Sequence, residues 1–433
     1  MLKKIFNKIK TSIWLYPMLY SLFALLLSIL VTAIDRLYAQ EIGQYVHGIF
    51  FTNSDLAQSV LGIVASSFIT IATFTFSTTM IVLTMYSSQF TPRVVENFLN
   101  NQTTMKSFGV FLSGFIYAVT ALLFIDKSVE NNLVISASIG VVYVIVGLVY
   151  FLLFIHNVST HIQANGLIQR LYKEALDKIN HYLDFIKTFE VMNSQSMKNH
   201  IEKKNCFKIS SNGDGYIQEI DYHKLSNFAK ENECIVSVEK VVGQFVSKET
   251  DTMVIYHLGE LSFDEEEKKT LQQCFILGNK KTETQDFSFT IQKIVEIAVK
   301  SLSPGINDPN TCNHCLKNIG LLLRDLGTIE YGYIVYKSIE GDDSLSLFIE
   351  AYDFERILYD AYHQISHYGQ EDASVVISIF KSLRLIKGKS TPLNTKIIHE
   401  YGQYLFDKVA FLKKDELSFD KIKNEYHDLI ANN

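Results

Sequence analysis

Four long apolar runs, all within the first 155 residues, constrain the fold of this 433-residue chain more than any other feature. A bilayer core about 30 Å thick takes roughly 20 apolar residues in a helix, because backbone amides and carbonyls in lipid must pair with each other. Runs that can fill this length occupy residues 13–34, 56–86, 108–125 and 133–155. The sequence therefore predicts an α-helical membrane domain of four transmembrane helices, with the lipid bilayer as its surroundings.

Lysine and arginine residues near the ends of these runs indicate the orientation, since positive residues are retained on the cytoplasmic side. They precede the first run, separate the second from the third, and follow the fourth: Lys3, Lys4, Lys8, Lys10, Arg93, Lys106, Arg170, Lys173 and Lys178. The other two connections carry only Arg36 and Lys127. We therefore expect a multi-pass protein of the cell (inner or plasma) membrane with both termini in the cytoplasm.

The rest of the chain has the composition of a cytoplasmic domain. It holds all five cysteines, an odd number that fits reduced thiols better than a disulfide framework: Cys206, Cys234, Cys274, Cys312 and Cys315. The chain has a net charge of -6 and no stripe of basic residues with aromatic residues between them, so nucleic acid is not expected as a partner.

Local patterns divide the chain into four parts. We predict a transmembrane domain at 1–160, an amphipathic connecting helix at 161–204, a cytoplasmic α+β domain at 205–285 and a helical cytoplasmic region at 286–433. Within the α+β domain, β-like runs at 206–209 and 216–220 flank Asn212-Gly213-Asp214-Gly215 and predict a hairpin. Helices are predicted at 222–231 and 263–275, the second with Ser262 as N-cap, and strands at 234–238 and 253–257.

A stripe of hydroxyl side chains distinguishes the second apolar run. Its members follow one another at intervals of seven, four, three, four, seven and four residues: Ser59, Ser66, Thr70, Thr73, Ser77, Thr84 and Ser88. These spacings place all seven on one helix face. The stripe could line a water-filled path formed by several copies, or it could let helices pack closely through small hydroxyl residues. Hydroxyls that bond back to their own helix would need no water.

The second run is longer than the bilayer requires, so we expect its end to project into the cytoplasm. Gln89 and Arg93 lie there, and we expect them at the cytoplasmic mouth of a path, or Arg93 as a plain membrane anchor beside phospholipid head groups.

A proline-rich segment, Ser303-Pro304-Gly305-Ile306-Asn307-Asp308-Pro309, separates two predicted helices. Asp308 followed by Pro309 is typical of an N-cap and first helical position. The segment predicts a rigid corner, or a site at which Asn307 and Asp308 contact a ligand or a neighbouring subunit.

No motif nominates a catalytic residue or a cofactor. Cys312 and Cys315 form an isolated Cys-x-x-Cys without a second ligand pair, so no metal site is expected. The chain has no Walker loop, no Gly-x-Gly-x-x-Gly and no nucleophile elbow. We therefore expect a protein that is not an enzyme.

Several short motifs resemble a family of predicted bacterial membrane proteins of unknown function, DUF2254. They are 88–93 (Ser-Gln-Phe-Thr-Pro-Arg), 243–246 (Gly-Gln-Phe-Val), Leu277-Gly278 with Lys281-Thr282 and Gln285-Asp286, and 303–309. The sequence departs from the family pattern at Lys281, Asn310 and Cys312, where arginine, an aromatic residue and alanine are expected. The resemblance implies the architecture and little about activity.

Together these features favour a homo-oligomeric channel or passive transport protein for an ion or a small ligand. Its second span would line the path, and its cytoplasmic domain would assemble or gate it. The alternative is a membrane-anchored sensor or scaffold whose spans only anchor and oligomerise the soluble domain. A membrane enzyme ranks third, and a lipid head group remains a further candidate substrate.

Overall fold

A computed structural model describes residues 15–42, 51–89, 102–125, 133–162, 164–202, 204–259, 263–282, 285–336 and 347–431. The chain divides into two compact units, Met1–Leu167 and Ile168–Asn433. We refer to them as the N-terminal unit and the C-terminal unit.

The described residues of the N-terminal unit include four long helices. They are α1 (Leu15–Ile42), α2 (Ser54–Gln89), α3 (Gln102–Phe124) and α4 (Ser136–Ile162). Each is long and apolar enough to cross a membrane, as the sequence predicted. The third helix begins six residues before the predicted start at 108, because the mostly polar residues 102–107 continue the helix beyond the apolar run. Residues 133–134, predicted as the start of the fourth span, instead form β2 (Leu133–Val134), which pairs with β1 (Thr52–Asn53).

Close contacts through glycine join α2, α3 and α4. Helix α3 packs against α1, α2 and α4. The ring of Phe68 on α2, 1% exposed, fits between Gly114 of α3 and Gly147 of α4. A Cβ atom at Gly114 would lie 2.4 Å from that ring, and one at Gly147 would lie 2.6 Å from it. The fit therefore requires glycine at both positions.

A buried carboxylate joins α1 to the start of α4. Asp35, 6% exposed, accepts hydrogen bonds from the backbone N–H of Ile135 (2.8 Å) and of Ser136 (3.1 Å). The first amides of a helix have no partner within it, so α1 supplies the cap that α4 needs. The hydroxyl of Tyr117 on α3 donates to the carbonyl of Ser136 at 2.9 Å, which adds a third helix to the junction.

The C-terminal unit contains two sheets among its described residues. Their strands are β3 (Glu190–Met192), β4 (Asn205–Ser210), β5 (Gly215–Ile220), β6 (Ile235–Val238), β7 (Phe245–Val246), β8 (Asp251–His257), β9 (Phe275–Gly278), β10 (Tyr333–Tyr336) and β11 (Leu347–Glu350). The larger sheet has the order β3-β10-β11-β6-β8-β4, and the smaller has the order β7-β5-β9. Among the strands that the structure describes, β11 and β6 alone pair in parallel. Strands β10 and β11 fall within the range predicted as helical.

The C-terminal unit also contains helices, and those between Phe287 and Ile430 pack against one another. The helices of this unit are α5 (Ala164–Lys187), α6 (Ser194–Ile201), α7 (Tyr222–Glu231), α8 (Glu265–Gln272), α9 (Phe287–Ser301), α10 (Pro309–Leu326), α11 (Phe354–Tyr368), α12 (Ala373–Lys387), α13 (Pro392–Lys408) and α14 (Glu416–Ile430). The predicted connecting helix at 161–204 is divided: α5 ends at Lys187, and β3 and α6 follow it.

The predicted hairpin between β4 and β5 is wrong. Strand β4 pairs with β8, and β5 pairs with β7 and β9, so the two strands belong to different sheets. The turn residues are held by a later segment: Ser211 N–H donates to the Thr250 carbonyl (2.9 Å), and the Asp214 carboxylate accepts from Lys248 N–H (3.0 Å). The glycine-rich turn is therefore a crossing point between sheets.

The predicted helix at 263–275 is too long. Helix α8 begins at Glu265, and its N-cap is Asp264, whose carboxylate accepts from Glu267 N–H at 2.8 Å. Glu267 completes a capping box by accepting from Asp264 N–H at 3.0 Å. Ser262, the predicted cap, lies outside the described residues. The helix ends at Gln272, and strand β9 begins three residues later at Phe275.

Candidate functional site

The seven hydroxyl residues of the stripe lie on one exposed face of α2. Ser59, Ser66, Thr70, Thr73, Ser77, Thr84 and Ser88 are all exposed. At about 100° per residue their spacings keep them within a sector of about 60°. The stripe is therefore not used for packing within this chain.

The opposite face of α2 makes the contacts with the other helices. Its buried residues include Leu61, Phe68 and Tyr86, together with the hydroxyl residues Thr75 and Thr79. Exposed apolar side chains lie on both sides of the stripe: Leu56, Ile63, Phe74 and Ile81 on one flank, and Ile69, Phe76 and Met80 on the other. The helix thus presents a polar band between two apolar bands.

Most stripe hydroxyls donate their hydrogen to the preceding turn of α2. Ser59, Thr70, Thr73 and Thr84 donate to carbonyls four residues earlier, at 3.1, 2.8, 2.8 and 2.9 Å. Ser88 donates to the Met85 carbonyl at 2.9 Å. With the hydrogen engaged, the oxygen lone pairs remain for other partners, so the outer surface of the band presents mainly hydrogen-bond acceptors.

The two ends of the stripe carry different residues. Asp55, exposed in the first turn of α2, lies four residues before Ser59 and so shares its face. Gln89 is the last residue of the helix, and the predicted mouth residue Arg93 lies outside the described residues.

The segment 303–309 forms a helix-to-helix corner. Asp308 caps α10 with both carboxylate oxygens, accepting from Thr311 N–H (3.1 Å) and from the Thr311 hydroxyl (2.6 Å). The N–H of Asn307 donates to Ser303, and that of Asp308 donates to Ser301. Asn307 has a positive φ of 49° and an exposed side chain. The Asp308 carboxylate thus stabilises the corner, while the exposed side chain of Asn307 is accessible to a ligand or a neighbouring subunit.

A second carboxylate, which the sequence analysis named within a family motif but not as a site residue, caps the preceding helix. Asp286 is 0% exposed, and its Oδ1 accepts from Phe289 N–H (3.1 Å) and from the Ser288 hydroxyl (2.5 Å). Its Oδ2 is buried and has no hydrogen-bond partner among the described residues. Burial raises the pKa of this carboxyl, although Ser288 and the charge of Lys281 act in the opposite direction.

Gly243 makes room for the Asp286 carboxylate. A Cβ atom at Gly243 would lie 2.0 Å from Oδ2, and its φ of 88° favours glycine. Two backbone hydrogen bonds hold this turn against β5: Gly243 N–H donates to Ile217 (2.8 Å), and Ile217 N–H donates to Gln244 (2.9 Å). Motifs from three parts of the sequence, 243–246, 281–282 and 285–286, therefore meet at the start of α9.

An aromatic cluster connects this place to α5. The rings of Tyr182, Phe287 and Tyr352 have centroids 4.5 to 5.2 Å apart. Tyr352 donates through its hydroxyl to the Val242 carbonyl (3.0 Å) and through its N–H to the Tyr182 hydroxyl (3.1 Å). Burial raises the pKa of Tyr352, and the neighbouring Asp286 charge adds to that shift.

The thiols of the Cys-x-x-Cys pair are packed in the interior. Cys312 and Cys315 are both 0% exposed. Burial raises the pKa of Cys312 to about 12 and that of Cys315 well above its ordinary value. Such thiols are poor nucleophiles and poor metal ligands. Among the described residues, no group of three or more His, Cys, Asp or Glu side chains is arranged to hold a metal ion.

Comparison with known proteins identifies the family. The model of the predicted membrane protein family DUF2254 matches residues 10–384. Uncharacterized proteins MT1328 and Rv1290c of Mycobacterium tuberculosis (strains CDC 1551 / Oshkosh and ATCC 25618 / H37Rv) and Mb1321c of Mycobacterium bovis are each 21% identical over 339 residues. That match covers 76% of this chain and 63% of each relative, so the chain spans less than two thirds of their length. No solved structure matches. The chain belongs to the DUF2254 family of predicted membrane proteins.

Proposed function

We propose that the protein is a homo-oligomeric membrane channel or passive transport protein whose path is lined by α2. The observation that supports this proposal is the exposed hydroxyl band, which lies opposite the face that α2 packs against its own chain. Several copies around an axis would cover the apolar flanks against each other and turn the hydroxyl band towards the axis. No bond-making step is involved, and we assign no catalytic residue, cofactor or metal.

The chemistry of the band favours small cations and water as the transported species. Five of the seven hydroxyls donate to their own backbone, so the band offers oxygen lone pairs that can replace part of a cation's hydration shell. No charged side chain lies between Ser59 and Ser88, while the exposed carboxylate of Asp55 lies at one end. A ring of such carboxylates would attract cations.

The C-terminal unit would assemble or gate the path from the cytoplasm. The distribution of lysine and arginine supports this orientation, as does the even number of candidate spans among the described residues. Tags at the two termini should then be digested by protease in inverted but not in right-side-out vesicles.

Flux into sealed liposomes containing the purified full-length chain tests the proposal. The variant Thr70→Leu/Thr73→Leu/Ser77→Leu should lose flux because three bulky apolar side chains would close the band. The matched variant Thr70→Ser/Thr73→Ser/Ser77→Thr keeps every hydroxyl and should retain flux. Equal flux through both correctly assembled variants would remove α2 from the path.

The alternative is a sensor or scaffold whose helices only anchor and oligomerise the C-terminal unit. It is supported by the same back-bonded hydroxyls, since a satisfied stripe can face another helix without water. It predicts no flux for any ion, together with a specific ligand or partner retained by the full-length chain. Flux that follows the band variants would exclude it.

A further inference from the structure

The Asp286 carboxylate is an unusual helix cap because only half of it is used. Oδ1 accepts two hydrogen bonds at the start of α9, while Oδ2 is buried without a partner among the described residues. Asp308, which caps the next helix, has both oxygens bonded to Thr311. Burying an ionised carboxylate with one bare oxygen costs more free energy than burying the neutral carboxyl, which carries only the smaller cost of an unpaired polar group.

We propose that Asp286 is a proton-operated switch of the C-terminal unit. When the Asp286 carboxyl is neutral, residues 239–244, here called the Gly243 loop, stay closed over the start of α9. When it is ionised, the carboxyl releases that loop together with the contact between Tyr352 and Tyr182. This inference concerns regulation within the C-terminal unit and does not depend on the proposed transport function.

The close packing of Gly243 against Asp286 explains why ionisation of that carboxyl would move the loop. Its Cα lies so close to Oδ2 that a Cβ there would be 2.0 Å from the oxygen. Water can therefore reach Oδ2 from that side only if the loop moves away. Movement would strain the hydrogen bond from the Tyr352 hydroxyl to Val242. Tyr352 also donates to Tyr182 of α5, so the strain would reach that helix.

Among the described residues, the charged and titratable groups that interact with Asp286 include Lys281 and Tyr352. The Gly243 loop also carries Glu239 and Lys240, which interact with Glu350, whose pKa is raised by burial. The Asp286→Asn variant separates the contribution of Asp286 from that of Glu350. Lys281, on the segment before α9, favours the ionised carboxylate. Tyr352, whose pKa is raised by burial and by Asp286, stays neutral throughout the relevant range. Burial is the largest influence on Asp286 and raises its pKa. The folded chain thus binds this proton more tightly than the unfolded chain does.

The sign of the pH dependence follows from that difference. The stabilising contribution of the neutral form is complete below the ordinary pKa of an aspartate. It is lost as pH rises through the raised pKa, because the unfolded chain then binds fewer protons than the folded one. One proton changes an opening equilibrium by at most about tenfold per pH unit.

Hydrogen exchange of the full-length chain in detergent, from about pH 4.5 to about pH 8, tests the switch. After correction for the chemical exchange rate, opening of the Gly243 loop should increase with pH by up to about tenfold per unit. Asp286→Asn keeps the cap and cannot ionise, so its loop should show no such increase. Asp308→Asn, the matched control, should behave as the unmodified chain does.

Two further measurements keep the proposal testable if Asp286→Asn does not fold. Lys281→Met removes the favourable charge and should shift the loop transition to higher pH. In infrared spectra, the loss of a protonated carboxyl band should move to higher pH in Lys281→Met than in the unmodified chain, because Lys281 acts on Asp286 and is not among the charges that act on the partly buried carboxyls of Glu174 and Glu350. A pH dependence that persists in Asp286→Asn, or an unmodified loop whose exchange is independent of pH, would overturn the proposal.

Discussion

At the scale of single residues, the N-terminal unit depends on the space that glycine leaves for Phe68. We expect Gly114→Ala to destabilise the helix bundle by about 1 to 3 kcal/mol, since a methyl group 2.4 Å from a buried ring forces repacking. Gly147→Ala should behave in the same way. Thermal unfolding of the purified chain in detergent measures the effect.

Gly62 on the same helix as Phe68 provides the control. A Cβ atom there would meet no heavy atom within 4 Å, so Gly62→Ala should leave stability unchanged or raise it by up to about 1 kcal/mol through helix propensity. Similar unfolding temperatures for Gly114→Ala and Gly62→Ala would show that the Phe68 contact does not limit stability.

Individual residues were predictable where their role depends on near neighbours in sequence. Asp308 was recognised as a cap because Pro309 follows it, and the structure shows its carboxylate accepting from Thr311 N–H. The hydroxyl stripe was predicted from spacing alone, and its exposure agrees with a face that is not packed in this chain. Asp286 appeared only within a family motif and was missed as a site residue, because its contact with Gly243 involves a segment more than 40 residues earlier.

At the scale of elements, α4 depends on a cap from another helix. Asp35→Ala should leave the N–H groups of Ile135 and Ser136 without their partner and cost about 1 to 3 kcal/mol. Asp35→Asn can still accept one hydrogen bond and should cost less. Unfolding of each variant by increasing denaturant, with the protein in detergent, measures these costs. Asp55→Ala is the control, because the exposed side chain of Asp55 should contribute little to stability. An equal loss for Asp35→Ala and Asp55→Ala would contradict the capping role.

The strands show where element prediction from sequence stops. The runs 206–209, 216–220, 234–238 and 253–257 lie within one or two residues of the observed β4, β5, β6 and β8. Their pairing could not be predicted, because β4 joins β8 and β11 joins β6 across long stretches of chain. A glycine-rich turn indicates a change of direction but not which strand will supply the hydrogen bonds.

At the scale of the whole molecule, the central question is how copies of α2 meet. A ring around a path is a heterologous arrangement, in which one flank of each α2 contacts the opposite flank of the next copy. A packed pair is isologous, with hydroxyl band against hydroxyl band. Phe74 and Phe76 lie at nearly the same depth on opposite flanks, while Thr73 lies within the band. Cysteines at these positions therefore distinguish the two assemblies.

In a Cys206→Ser background, we expect Phe74→Cys/Phe76→Cys to form a ladder of linked species on oxidation in membranes, since each copy would join neighbours on both flanks. Thr79→Cys, on the buried face at 3% exposure, should form none. A ring holds its Thr73 side chains apart across the path, so Thr73→Cys should give little product. Efficient dimers from Thr73→Cys without a ladder from the flank pair would instead show a helix contact, and the transport proposal would lose its structural basis.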